Sequence, residues 1–225
     1  MKWLAGLILV GYLIAPVCEA RADFKAGFEA YGRGDYATAL REFWPVAQQR
    51  DAAAQFNIGV MYPHGRGLPQ DSLLAMHWYR LSADQGFAPA QCNLGVMYQK
   101  SDDRLPLYTE ALRWFRLSVE GGFSDCHINI ALMYYDGKGV PLNYVEARRW
   151  FQSAAKNGSI PALLNLAQMC YEGRGGPHNY VEALMWWDIA AARGSKAAVH
   201  LRDNAAKTSL RGPSCRGEED GERLD

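Results

Sequence analysis

Ser153-Ala154-Ala155-Lys156 spells S-x-x-K, the spacing at which one helical turn brings a lysine amine beside a serine hydroxyl. In serine enzymes that open β-lactams this pair supplies the nucleophile, together with K-T-G and S-D-N partners. This chain has neither partner, and Ser153 stands at the phase of Leu81, Leu117 and Ile189, a packing position. The five histidines, His64, His77, His127, His178 and His200, never fall two to a helical face at metal-ligand spacing. Gly65-Arg66-Gly67 has the glycines of a phosphate loop but no strand before it, so an interhelical turn is the expectation. Arg33-Gly34-Asp35 likewise reads as a tight turn. The pattern yields no catalytic residues, no metal site and no cofactor. A more regular set is made for binding: Asn57, Asn93, Asn129 and Asn165, one amide every 36 residues.

That interval belongs to the elements that position the asparagines. NIGVMY at Asn57 returns as NLGVMY, NIALMY and NLAQMC, and other anchors keep step. They include Ala75, Ala111, Ala147 and Ala183; Trp78, Trp114, Trp150 and Trp186; and Gly86, Gly122, Gly158 and Gly194. A fixed period carried by independent anchors is the signature of a repeat architecture. Within one unit, Ala54, Ile58, Met61 and Tyr62 form the apolar stripe of a first helix. Pro63 and Gly65 to Pro69 interrupt it, and Asp71, with Asn143 and Asn179 at the same phase, caps a second helix. Gly86 closes that helix. The unit is a helix hairpin. Gly59, Gly95, Ala131 and Ala167 leave room for the partner helix, and the tryptophan row is expected to fill the space between hairpins. One hairpin cannot bury both faces, so hairpins must stack into a solenoid.

The chain divides accordingly. Residues 1–22 carry Lys2, an apolar run from Trp3 to Ile14 and Ala20-Arg21-Ala22, the pattern of a cleaved secretory signal. The run is too short to span a bilayer, and the residues before Cys18 do not fit a lipoprotein signal. Residues 23–207 read as about five hairpins, the first degenerate, closed by a capping helix from Ser195 to Lys207. The second regular unit departs from the pattern, with Ser101-Asp102-Asp103-Arg104 in its loop and Leu107 at the cap. Residues 208–225 lack an apolar stripe and read as a disordered tail. Of 225 residues, 49% are hydrophobic and 21% charged, and the net charge is zero, so a basic nucleic-acid surface is not expected. Cys92, Cys126 and Cys170 occupy different positions in their repeats, so no regular staple recurs and free buried thiols are the expectation. Cys215, in the tail, could pair between molecules.

AAAQFNIGVMYPHGRGLPQD and GKGVPLNYVEARRWFQSAAKNG are the clearest copies of a pattern A-x-x-N-L-G-x-M-Y, x-G-x-G-V-P, a capped Y-x-x-A-x-x-W and A-A-x-x-G. This pattern resembles the Sel-1-like repeat family of the tetratricopeptide-like superfamily from about Phe24 to about Asn204. The resemblance implies an all-α fold, a right-handed superhelical solenoid of stacked hairpins. It also implies a protein-protein adaptor, exported to the periplasm or secreted, whose first helices line a concave groove. An asparagine at this phase in such grooves bonds a peptide backbone or terminal carboxylate. Phe56, Val60, Val96 and Leu132, beside Cys92, Ile128, Leu164 and Gln168, would give the groove apolar flanks for an extended or helical protein segment. Three alternatives stay open: asparagines that brace the stack, a spacer without a groove ligand, and a weak β-lactam or peptidoglycan hydrolase.

Overall fold

The computed structural model describes residues 23–100 and 107–210. Residues 1–22, read above as a signal and including Cys18, residues 101–106 of the second regular unit, and residues 211–225 with Cys215 lie outside them. Eleven α-helices and no strand occur among the described residues. They are α1 (Phe24–Gly32), α2 (Tyr36–Gln48), α3 (Ala52–Met61), α4 (Ser72–Ala83), α5 (Ala88–Gln99) and α6 (Tyr108–Glu120), then α7 (His127–Asp136), α8 (Tyr144–Lys156), α9 (Ile160–Glu172), α10 (Tyr180–Ala192) and α11 (Lys196–Leu210). Each helix packs on the next, so α1/α2 to α9/α10 are five stacked hairpins. The last helix packs on α10 through Ala198 and Ala205 and runs to Leu210.

Local chemistry sets the punctuation. Asp71 Oδ1 accepts from the amides of Leu73 and Leu74 at 2.9 and 3.0 Å, and Asn143 and Asn179 cap α8 and α10 in the same way. Leu107 has no side-chain oxygen to offer, and α6 starts without a side-chain cap. After each regular second helix the chain turns through Gly86, Gly122, Gly158 or Gly194, all with φ between 85° and 90°, a backbone that a Cβ disfavours.

The core is built from small first-helix residues against large second-helix aromatics. A Cβ on Gly59 would meet the Tyr79 ring at 2.8 Å, and one on Gly95 the Phe115 ring at 2.5 Å, so both glycines set the helix separation. The aromatic that fills this joint within the hairpin stands one residue after the tryptophan row, which was expected between hairpins. Tyr79, Phe115, Phe151 and Trp187 are at most 5% exposed. In the tryptophan row, Trp114 is buried, whereas Trp78, Trp150 and Trp186 are only partly so. Successive residues on a helix point about 100° apart, and the later position faces the first helix of its own hairpin.

Candidate functional site

The four asparagines all lie on first helices, in α3, α5, α7 and α9, and all are half-buried. Their amides have different neighbours. Asn57 and Asn165 donate to the carbonyls four residues back, Ala53 and Pro161, each at 2.8 Å. Asn93 hydrogen-bonds the Tyr79 phenol, whose pKa burial pushes up to about 12 and this bond partly restrains. Asn129 Nδ2 lies 3.8 Å from Cys92 Sγ and 4.0 Å from Cys126 Sγ. Phe56 packs on the rings of Tyr79 and Phe87, and Val60, Val96 and Leu132 are half-buried against the core. Gln168 Nε2 donates to Glu172 Oε1 at 2.5 Å.

Cys92 and Cys126, 34 positions apart in the sequence, form a disulfide with 5.9 Å between Cα atoms, which corrects the expectation of free thiols there. The two positions fall at different phases of their repeats, so a search for a recurring staple does not find the pair. Stacking places the middle of α5 beside the start of α7, and Cα atoms at that separation suit a disulfide. Cys170 is free and buried, and burial pushes its thiol up to about 11. A low-pKa nucleophile needs the opposite environment.

The other candidates for chemistry are structurally committed. Ser153 Oγ donates to the Arg149 carbonyl at 3.2 Å in its own helix, and Lys156 is exposed. Among the described residues, no three His, Cys, Asp or Glu side chains converge as a metal site would need. His127 and His178 each place Nδ1 2.6 Å from a backbone carbonyl, Ser124 O and Tyr171 O.

Two features escaped the sequence reading. Arg66 lies against the rings of Tyr31 and Tyr36, and Arg174 against those of Tyr135 and Tyr144, each also bonding a tyrosine hydroxyl. In both cases the arginine of a Gly-Arg-Gly loop stacks on the hairpin before it, a cation–π contact repeated three periods apart. Tyrosine recurring at the start of second helices (Tyr36, Tyr108, Tyr144, Tyr180) was the available signal. The second feature is Arg148, which donates to both Glu182 oxygens at 2.7 Å and to Cys170 Sγ at 3.4 Å, while Trp186 Nε1 reaches Glu182 Oε1 at 3.3 Å. Hydrogen bonding from Arg148 holds the Glu182 carboxyl below the usual carboxylate range. No sequence signal pairs residues 34 apart on neighbouring second helices.

The family model for the Sel1 repeat matches residues 52–87, 88–123, 124–159 and 160–195. Among solved structures, a Sel1 repeat protein from Oxalobacter formigenes superposes with a TM-score of 0.72 and 28% identity, over 81% of this chain and 75% of that one. A protective antigen of uropathogenic Escherichia coli strains, displaying the same repeat fold, gives a TM-score of 0.58 and 27% identity, over 85% of this chain and 50% of that one. Among curated proteins, an ERAD-associated E3 ubiquitin-protein ligase component of Arabidopsis thaliana, HRD3A, is 42% identical over 52 residues. The match takes in 22% of this chain and 8% of that protein, so the chain spans a small part of that relative's length.

Proposed function

The chain belongs to the Sel1 repeat family, and we propose on that premise that it is an exported adaptor that holds a partner protein along its row of first helices. Sel1 repeats are protein–protein interaction modules, and their scaffolds are generally non-enzymatic. The observation that carries the reading is the half-buried row itself: an asparagine at the same phase of four stacked hairpins, flanked by Phe56, Val60, Val96 and Leu132. An amide that gives one N–H to its own helix, as Asn57 and Asn165 do, keeps a second N–H and a carbonyl oxygen for a peptide backbone. The anchored side chain has little rotamer freedom left to lose, which lowers the entropic cost of binding. Export is supported by the N-terminal pattern and by the Cys92–Cys126 disulfide, a bond that persists in oxidising compartments such as the periplasm. No described helix is long and apolar enough to cross a membrane.

The test is affinity capture from the envelope fraction with tagged protein beside a folded Asn93→Lys, Asn129→Lys variant. A partner retained by the parent and lost from the variant supports the groove. The same partners on both would move binding off the first helices, and no specific partner on either would sink the adaptor reading.

A further inference from the structure

The joint between the third and fourth hairpins is made differently from its neighbours. Where α3 meets α2 and α5 meets α4, a buried glutamine reaches back eight residues. Gln55 Nε2 donates to Ala47 O at 3.1 Å, and Gln91 Nε2 to Ala83 O at 3.2 Å. One period on, the position is His127, whose Nδ1 contact is with Ser124 O inside its own turn. That turn, Ser124–Cys126, is a single 3-10 segment, and no side chain caps α7 behind it. By contrast, Asp51 caps α3 and Ser159 caps α9. The buried cluster at this joint, Ala111, Leu112, Phe115, Ile130 and Met133 with the two half-cystines, is smaller than those on either side. The neighbouring joints each keep one of these devices, the glutamine clamp at α5 and the Ser159 cap at α9, whereas the α7 joint has neither and carries the disulfide instead.

We propose that Cys92–Cys126 is a redox-operated clasp on this joint. Oxidised, it ties α5 to the start of α7; reduced, it releases the first turn of α7 while the hairpins on either side stay folded. The co-reactant is a dithiol. One of its thiolates attacks a sulfur of the pair to form a mixed disulfide, and the other protein sulfur leaves and takes a proton. The reductant's second thiolate then attacks its own first sulfur and expels the remaining protein sulfur, which takes the second proton. Two electrons and two protons pass to Cys92 and Cys126, and the dithiol closes into its own disulfide. Cys92 is 5% exposed and Cys126 0%, so the reductant reaches the bond through transient opening of the joint that the bond restrains. Because each hairpin touches only its neighbours, the release stays local. Asn129, beside both sulfurs, links the clasp to the first-helix row, but the device needs no occupant there.

Hydrogen exchange read by mass spectrometry on the full chain, before and after dithiothreitol, tests this. Reduction is expected to accelerate amide exchange over residues 124–133 by more than about tenfold, with less than about a twofold change over 52–83 and 160–192. Cys170→Ala should respond as the parent does. The Cys92→Ala, Cys126→Ala double variant should exchange fast at 124–133 with or without reductant. Unchanged exchange at 124–133, or an acceleration spread evenly over all hairpins, would overturn the proposal. So would peptide mapping that finds Cys92 and Cys126 unpaired in protein prepared without reductant. Reduction of the parent chain keeps the test decisive if the double variant does not fold.

Discussion

The second and third hairpins solve the same packing problem as the fourth and fifth with different side chains. In the N-terminal pair the first helix has Gly59 and Gly95 against the large aromatic; in the C-terminal pair the same phase is Ala131 and Ala167. Ser82 and Ser118 donate to Ala52 O and Ala88 O at 2.6 and 2.7 Å, and their counterparts are Ala154 and Ala190, both buried. Gln55 and Gln91 give way to His127 and Leu163. Polarity moves elsewhere in exchange: Met76 and Leu112 become Arg148, paired with Glu182. The N-terminal half joins its helices through neutral side-chain-to-carbonyl bonds. At the same phases its C-terminal counterpart has apolar contacts, with the Arg148–Glu182 ion pair joining α8 and α10. The backbone period is thus fixed more tightly than the means of holding it, because any side chain that fills the volume and satisfies its polar atoms will serve.

The shared aromatic row should give the largest effect in both halves. Phe115→Ala and Trp187→Ala are each expected to cost about 3–5 kcal/mol in chemical denaturation. Trp150→Ala, at a half-buried position, should cost clearly less. Equal losses at Trp150 and Trp187 would erase the distinction between the two rows.

Breaking the ion pair should come next. Glu182→Ala leaves Arg148, whose side chain is 17% exposed, without its carboxylate, and a loss of about 1.5–3 kcal/mol is expected for a hydrogen bond to a charged group. Replacing the pair together, Arg148→Met with Glu182→Leu, should come close to neutral. The pair also predicts a pH response. Arg148 lowers the folded-state pKa of Glu182, so its contribution is present above the unfolded value of about 4.3 and is lost as pH falls through the lower folded value. Thermal melts in acid should therefore fall less steeply for Glu182→Gln than for the parent, and parallel curves would remove the pair from the account of acid stability.

The glycine contrast is smaller and directional. Gly95→Ala drives a methyl into Phe115 and should cost about 1–3 kcal/mol by overpacking, whereas Ala131→Gly should cost about 0.5–1 kcal/mol through helix propensity. A stabilised Gly95→Ala would show that α5 can move away from α6. Comparable with the Ala131→Gly loss is Ser118→Ala, expected to cost about 0.5–1.5 kcal/mol in urea unfolding. A neutral result would mean that the N-terminal hydroxyls are interchangeable with Ala154 and Ala190.

Much of the fold was legible because the period is carried by residues whose role is local. Asp71, Asn143 and Asn179 cap helices with atoms two or three positions away, and Gly86 and its counterparts turn the chain at φ values few other residues adopt. The tryptophans expected between hairpins do meet there at Trp44 and Trp78, but the aromatic row enclosed within each hairpin, one residue later, was not read. Trp78 and Tyr79 are both large and both recur in kind, and only the direction of the first helix decides which is enclosed.

The sequence by itself determined the repeat period, the caps and turns within one unit, the small residues at the helix crossing and the equivalence of the four asparagines. Each follows from spacing and from backbone preferences within one repeat. The tertiary structure alone decided that Cys92 meets Cys126, that Arg148 meets Glu182, and that Arg66 and Arg174 lie on tyrosines of the preceding hairpin. These contacts join neighbouring units at different phases, and a repeat pattern records which residues are equivalent, not which are adjacent once the units are stacked.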